Sequence, residues 1–537
     1  TFINGRLDIF SQYFPQARNI DRVGGFLRTR YSYDFELRDE RRSKDPVGQR
    51  RSLTPQGRDD AARGDILDAY VFIDGFVADM PASLRYGRQV LNWGESTFIQ
   101  GGINTTSPLN ATAARQPGAE LEDILIPVEM LYGNITRGNL TLEGFLQTKW
   151  ESSEVDNCGT YFSTADVVAD GCGPVLLGGQ APDFQVIEDE VFAPREGDVE
   201  PSDRGQFGIA ARYFSDALDG EIGFYYQRLH SRLPYLGGRV NNPDAPAPEL
   251  GQDSNPDLPQ ADFPSYFVEY PEDIDQFGIS YSTTTRGGTS IGGEYSYKRN
   301  QPLQINTIYL ISGGNQLRSP NGDIISKYER KLRADNPDDN LAGQRVKGFD
   351  TFGVSQLQGT VLHFVDRVMG ADRLVFLTEV GATYVHGLPD TDEQEFGRSG
   401  VFGIGNRPVE GAEFTGDNCV EGRDGAIGQN INPSNCRGDG YTTSFSWGYR
   451  TVLALQYSNA FMGANVTPQL FFSHDVKGFS PEPGPNFQED NKQLGLTLAF
   501  DYQNSYAAEI TYNTFFDGRY NDVRDRDFIA ASVSYTF

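Results

Sequence analysis

Over the last nine residues every second side chain is larger and apolar: Ile529, Ala531, Val533, Tyr535 and Phe537 alternate with Ala530, Ser532, Ser534 and Thr536. A period of two puts these rows on opposite faces of a strand, and the pattern recurs through the chain. Leu494, Leu496, Leu498, Phe500 and Tyr502 oppose Gln493, Gly495, Thr497, Ala499 and Asp501. After a turn at Gln503–Tyr506, Ala508, Ile510, Tyr512 and Thr514 oppose Glu509, Thr511 and Asn513. Trp447, Tyr449, Thr451, Leu453, Leu455 and Tyr457 repeat it, as do Leu27, Thr29, Tyr31, Tyr33, Phe35 and Leu37. One apolar and one polar row suit a wall between lipid and water. An Arg or Lys on the lipid face at mid-bilayer costs about 2–4 kcal/mol, so the charged rows must face a lumen. The candidate lumen and selectivity residues are Arg28, Arg30, Arg85, Arg212, Arg450, Glu143, Glu294 and Glu379, with Asp34, Glu36, Asp501 and Glu509 on the same faces. Mixed signs either brace the wall or select solutes, and both readings stay open here.

No stretch approaches the roughly 18–20 consecutive apolar residues of a spanning helix; runs such as Leu67–Val77 and Leu374–Val380 are short and broken by Asp or Glu. Closed strands are the other way to satisfy a backbone in lipid. The composition agrees, with 38% hydrophobic residues but 36 Phe, 27 Tyr and 60 Gly. Alternation predicts an all-β, antiparallel transmembrane barrel of about sixteen strands, within a range of about fourteen to eighteen. The segments are 24–37, 66–77, 83–91, 125–135, 139–150, 206–214, 220–229, 275–284, 289–298, 350–364, 373–386, 443–457, 465–475, 491–502, 507–516 and 526–537. Tight links at 137–138, 215–219, 285–288, 368–372 and 503–506 alternate with long ones at 38–65, 92–124, 151–205, 230–274, 299–349 and 387–442. Short periplasmic turns and long extracellular loops are the rhythm of outer-membrane barrels. With both ends in the periplasm the strand number is expected to be even. Residues 1–23 are then a periplasmic N-terminal segment and 24–537 one barrel. The chain starts at Thr1, so a signal peptide is expected outside this numbering.

A net charge of −28 excludes nucleic acid as a partner. Nine carboxylates fall between Pro243 and Asp275 without a Lys or Arg. They are a solvated loop, or bind divalent cations beside lipopolysaccharide. Asp335, Asp338 and Asp339, in DNPDDN, are candidate ligands for a weak structural calcium, although the Gly and final Glu of an EF-hand loop are missing; no other cofactor is expected. The four cysteines fall into two close pairs, and local connectivity gives Cys158–Cys172 and Cys419–Cys436. Each disulfide closes a loop worth about 3 kcal/mol in the chain-entropy model and implies an oxidising compartment. Four scattered histidines, His230, His363, His386 and His474, show no metal-ligand spacing, so no enzyme is expected.

Connections 92–124 and 299–349 are too long and too apolar for plain loops; Phe98-Ile99 and Ile305–Ile311 mark them as inward-folded constrictions. RYGRQVLNWGESTFIQGGINTTSPLN (85–110), followed after a polar gap by LEDILIPVEMLYGNI (121–135), resembles a proteobacterial outer-membrane family of unknown function. Its GRQ-x-x-x-WGE segment is also similar to the corresponding region of the alginate-export porin. The resemblance implies a path for hydrophobic or amphipathic molecules and, as partners, an RND-type exporter and a periplasmic LolB-like protein. The ending on Tyr535 and Phe537 resembles the terminal recognition strand of bacterial outer-membrane proteins, which implies handling by the barrel-assembly machinery. On the residues themselves, Arg85, Gln89, Trp93 and Glu95 are a candidate clasp for the returning loop, with Arg85 and Gln89 reaching Glu95 or Glu120.

These readings converge on an outer-membrane channel or transporter for a small or amphipathic, lipid-like molecule, in contact with outer-membrane lipid and lipopolysaccharide. The alternative is a structural or docking barrel with an occluded lumen. A continuous lumen separates the first from the second.

Overall fold

A computed structural model describes residues 2–15, 19–38, 61–115, 121–177, 183–241, 264–314, 328, 329, 333, 341–403 and 437–536. The alternating segments form one antiparallel sheet of seventeen strands among the described residues. They are β1 (Phe2–Tyr13), β2 (Ile20–Asp34), β3 (Ala62–Val77), β4 (Met80–Gln89), β5 (Val128–Arg137), β6 (Leu140–Gln147), β9 (Phe207–Ser215), β10 (Gly220–Leu229), β13 (Ile274–Thr284), β14 (Ser290–Gln304), β16 (Phe349–Val368), β17 (Ala371–His386), β18 (Phe445–Phe461), β19 (Ala464–Lys477), β20 (Lys492–Tyr502), β21 (Tyr506–Phe516) and β22 (Phe528–Tyr535). Short strands lie in the connections. Strand β7 (Val175–Leu176) pairs with β8 (Phe192–Ala193), and β11 (Tyr235–Arg239) lies between β12 (Tyr266–Glu269) and β15 (Arg345–Val346). Each wall strand pairs with its predecessor and successor in the wall.

The sheet is curled. Segment 93–123 hydrogen-bonds to β2, β6, β10, β13, β14, β16 and β17, which only a wall wrapped around it permits. At one rim, Tyr161 from the β6–β9 connection donates its hydroxyl to the carbonyls of Asp525 and Asp527 just before β22. The outward rows are bare: Ile209 is 60% exposed, Leu357 60% and Val533 84%. Such rows tolerate lipid and not water, since each large apolar side chain left in water forgoes about 1.5–3 kcal/mol. Among the described residues no helix is long and apolar enough to cross a membrane; the crossing is made by strands.

Hairpin chemistry explains the short end. Type I′ turns need positive φ at both central residues because their twist matches that of the flanking strands. Ala78-Asp79, Met369-Gly370 and Met462-Gly463 all have it, closing β3–β4, β16–β17 and β18–β19 in two residues each.

Two expectations change. The wall has seventeen strands among the described residues, within the expected range of about fourteen to eighteen, and residues 2–13 of the expected N-terminal segment form β1 and pair with β2 along their whole length. Phe2 pairs with Asp34 at the long-connection end, whereas Tyr535 pairs with Tyr506 beside a tight turn. Among the described residues no ladder joins β1 to β22.

The second concerns 299–349. Residues 299–304 continue β14, and the described residues that follow pack at the long-connection end. Ile305, Tyr309 and Leu310 bury against Val240, Val346, Phe396 and the outer ends of β16 and β17 at Val354 and Val385. They are the core of a cap over the long-connection end. Glu196, in the β6–β9 connection, ties this cap together by accepting from Arg239 and Ser265 in the β10–β13 connection and from Arg345 in the β14–β16 connection. Burial alone would raise its carboxyl, but those donors outweigh it and hold Glu196 below its ordinary range.

Candidate functional site: the lumen and its inward loop

A loop without secondary structure inside a barrel exposes backbone donors and acceptors that need partners. The wall supplies both kinds. Glu294 on β14 accepts the N–H groups of Glu95 and Ile103 at 2.5 and 2.8 Å. Glu379 on β17 accepts those of Thr97, Phe98 and Ile99 at 3.0, 2.6 and 2.8 Å. The loop's carbonyls are met by wall amides: Gln147 reaches Thr106, Gln227 reaches Ile103, Gln276 reaches Gly102 and Gln356 reaches Gln100. For the loop's backbone, glutamates take donors and glutamines take acceptors, on six of the seven wall strands from β6 to β17.

The two glutamate side chains are almost wholly buried, Glu379 at 0% and Glu294 at 3% exposure. Close approach depends on glycine. A Cβ on Gly102 would collide with the Glu294 carboxylate and the Gln358 amide, and Gly94 carries φ +88° beside the same carboxylate.

Trp93 leads the loop in. Its ring packs on Phe145 and Tyr225 with centroids 5.0 and 5.8 Å apart, and its Nε1 donates to Glu143 at 2.9 Å. With Ile103, Val128, Met130 and Leu229 it forms a core lying against β5, β6, β9 and β10. Phe98 approaches Phe471 on β19, 6.0 Å between centroids. The return path is pinned where Arg30 pairs with Asp123 at 3.7 Å.

The candidate clasp is thus partly redistributed. Trp93 and the backbone of Glu95 do anchor the loop. Gln89 instead donates to the carbonyl of Met130 within the wall, 3.1 Å away, and Arg85 lies over the rings of Tyr70 and Tyr132. Glu120 lies outside the described residues. The holding residues are Glu294, Glu379 and the glutamines. Alternation places the two glutamates on the inner face, but nothing local distinguishes them from other lumen carboxylates. The signal for the glutamines was their recurrence on the inner faces of β6, β10, β13 and β16.

Most inward arginines are neutralised. Arg28 pairs with Asp8 and Asp68 at 3.0 and 3.5 Å, Arg30 with Asp65 at 3.1 Å, and Arg450 with Asp475 at 2.7 Å. Arg212 pairs with Glu143 and, at 3.6 Å, with Glu221. Bracing therefore accounts for these cations. Arg85 differs, with ring contacts and no carboxylate among the described residues.

The disulfide Cys158–Cys172 forms in the β6–β9 connection. Cys419, Cys436, Asp335, Asp338, Asp339, Phe537 and most of the acidic run after Pro243 lie outside the described residues. Tyr535 is exposed and packs on Tyr506.

On the outward face, His386 Nε2 lies 2.8 Å from Ser355 Oγ, the distance a serine nucleophile and its base require. The rest of that chemistry is missing from the pair's surroundings. Ser355 sits in an unbroken ladder between Tyr297 and Tyr384, so no free N–H pair forms an oxyanion hole. His386 packs against those same two tyrosine rings. With Tyr295 on Ser355 at 2.9 Å, this is an aromatic belt.

Residues 3–537 match the model of a family described as "Protein of unknown function (DUF1302)". No curated protein matches the chain. Among solved structures, OccAB1 of Acinetobacter baumannii is 11% identical, with 99% of this chain and 94% of that one covered and a TM-score of 0.34. OpdK of Pseudomonas aeruginosa, solved with vanillate, is 9% identical over 99% and 96%, TM-score 0.35. A BenF-like porin from Pseudomonas fluorescens is 8% identical over 100% and 97%, TM-score 0.36. Likenesses this distant carry no part of the functional reading.

Proposed function

The chain belongs to the DUF1302 family of unknown function, and we propose that it is a bacterial outer-membrane channel whose inward loop 93–110 sets the width and selectivity of the lumen. The observation that carries this reading is the belt of Glu294, Glu379, Gln147, Gln227, Gln276 and Gln356 fixing the loop across the barrel. A wall that needed only to be stable would fill its interior with side chains. Building a separately held loop there serves control of passage.

Small or amphipathic solutes are the proposed cargo, and no chemistry is done on them. The association with an RND-type exporter and a LolB-like protein is part of the proposal and rests on the sequence resemblance at 85–135.

Planar-bilayer recording tests the proposal. The full chain should show discrete single-channel steps, and a chain with 94–107 replaced by a short Gly/Ser link should show larger ones. Absence of current in both, with both folded, would defeat the channel and favour the docking barrel.

A further inference from the structure

Among the described residues, Arg85 is the candidate lumen arginine that the bracing pairs leave over. It projects from β4 into the half of the lumen nearer the tight turns, opposite Phe72 on β3 and Tyr132 on β5 in the ladders. Its guanidinium carbon lies 5.7 Å from the ring centroids of both Tyr70 and Tyr132. A guanidinium held by ring faces keeps its N–H edge free, and that fork matches a carboxylate. Tyr132 is itself fixed, donating to Glu143 at 2.9 Å, the carboxylate that also receives Trp93 of the inward loop. The arginine therefore stands beside the loop's anchor.

The wall next to it is unexpectedly aromatic for a surface facing water. Phe26 lies 5.6 Å from Tyr70, and Phe10 stacks on Phe72 at 5.8 Å with planes 8° apart. Register puts Phe10, Phe26 and Tyr70 in one row across β1, β2 and β3, on the face that carries Arg28 and Arg30. Phe10 is 53% exposed. With strands about 4.8 Å apart, the row extends about 10 Å from its first ring to its third, the length of two fused rings.

We propose that Arg85, Tyr70, Tyr132, Phe72, Phe26 and Phe10 form a binding station for an amphipathic monocarboxylate, the carboxylate on Arg85 and its flat apolar body along the rings. Arg28 over Phe26 and Arg22 over Phe72 are already paired with Asp8 and Asp74, so among the described residues of the station Arg85 alone lacks a carboxylate and matches a single negative charge; a phosphate monoester, which carries close to two, would lack a second unpaired cation there. This inference deepens the channel reading and rests on it, because the station lies on the proposed path.

The test is isothermal titration of the folded protein in neutral detergent with 2-naphthoate, 2-naphthalenemethanol and acetate. Wild type should bind 2-naphthoate at least about tenfold more tightly than the other two, a gap of about 1.4 kcal/mol. Arg85→Gln should lose at least about that factor, and Arg85→Lys should fall between, since an ammonium keeps the charge without the fork. Arg85 has no hydrogen-bonded partner among the described residues, so Arg85→Gln should fold, which heat-modifiable electrophoretic mobility checks. Equal affinity for naphthoate and the neutral alcohol, equal affinity in Arg85→Gln, or no saturable binding by wild type each overturns the station. Bilayer recording of the wild type separates the two ideas. Steps together with saturable naphthoate binding support both, whereas steps without binding leave the channel standing and the station refuted.

Discussion

At the scale of single residues, the wall holds its loop with charge-assisted hydrogen bonds, which are worth about 1.5–3 kcal/mol where neutral ones give about 1. Gly102→Ala drives a methyl into the Glu294 carboxylate. It should free the loop without unfolding the barrel, seen as new protease cleavage within 93–110 at unchanged heat-modifiable mobility. Protection equal to wild type would count against the tight packing. A second residue-scale expectation concerns the outer loops. Glu482 is pushed up to about 7 by burial and then by its neighbour Asp522, with the Arg398 N–H pulling the other way. Asp522 is pushed up to about 6 by burial, opposed by Ser399. Unfolded, both titrate near 4, so the folded form holds protons that the unfolded form has released. Stability of these loops should fall as pH rises from about 4 to about 7 and level off above. Hydrogen exchange of 478–491, corrected for intrinsic rates, should be slower at pH 5 than at pH 8, and Glu482→Gln should flatten the difference. A slope unchanged in Glu482→Gln would reject the assignment. Legibility at this scale was partial. The inward direction of Arg28, Arg30, Arg212, Arg450, Glu143, Glu294 and Glu379 follows from alternation alone. Their partners do not, because Glu294 finds its donors about 190 positions away in sequence, beyond anything local patterning encodes.

Elements were the more legible scale, since period two and turn chemistry are local properties. Strands such as β20, β21 and β22 fall close to where alternation puts them, and the tight links expected at 368–372 and 503–506 close hairpins. Strand β1 was equally patterned, with Ile3, Leu7, Ile9 and Tyr13 on one face, although residues 1–23 were expected as a periplasmic segment. The cap was not legible, because its core joins Ile305, Phe396 and Val240 from three connections. The stapled β6–β9 connection offers a test here. Phe162 packs on Phe528 at 5.4 Å and under Arg115 at 5.1 Å, so this loop bridges the inward segment and the last hairpin. Removing the cross-link by Cys158→Ser with Cys172→Ser releases loop entropy worth about 3 kcal/mol. Proteolysis within 151–177 should accelerate by an order of magnitude or more while the wall stays folded. Identical cleavage rates would mean that ring contacts alone hold the loop.

For the whole molecule, one division of labour accounts for the architecture. The outward rows meet hydrocarbon, paired charges brace the inner wall, and glutamates and glutamines reserved from that bracing suspend a glycine-rich loop in the lumen. Arg85 and its aromatic row are what remains for a solute. The suspension is the central claim, and single-channel conductance of Glu294→Gln combined with Glu379→Gln tests it most directly. Removing both charges should raise conductance to the level of the chain whose loop is replaced, with unstable, flickering steps as the loop moves. Conductance and noise indistinguishable from wild type, in a folded double variant, would show that these two carboxylates do not hold the gate.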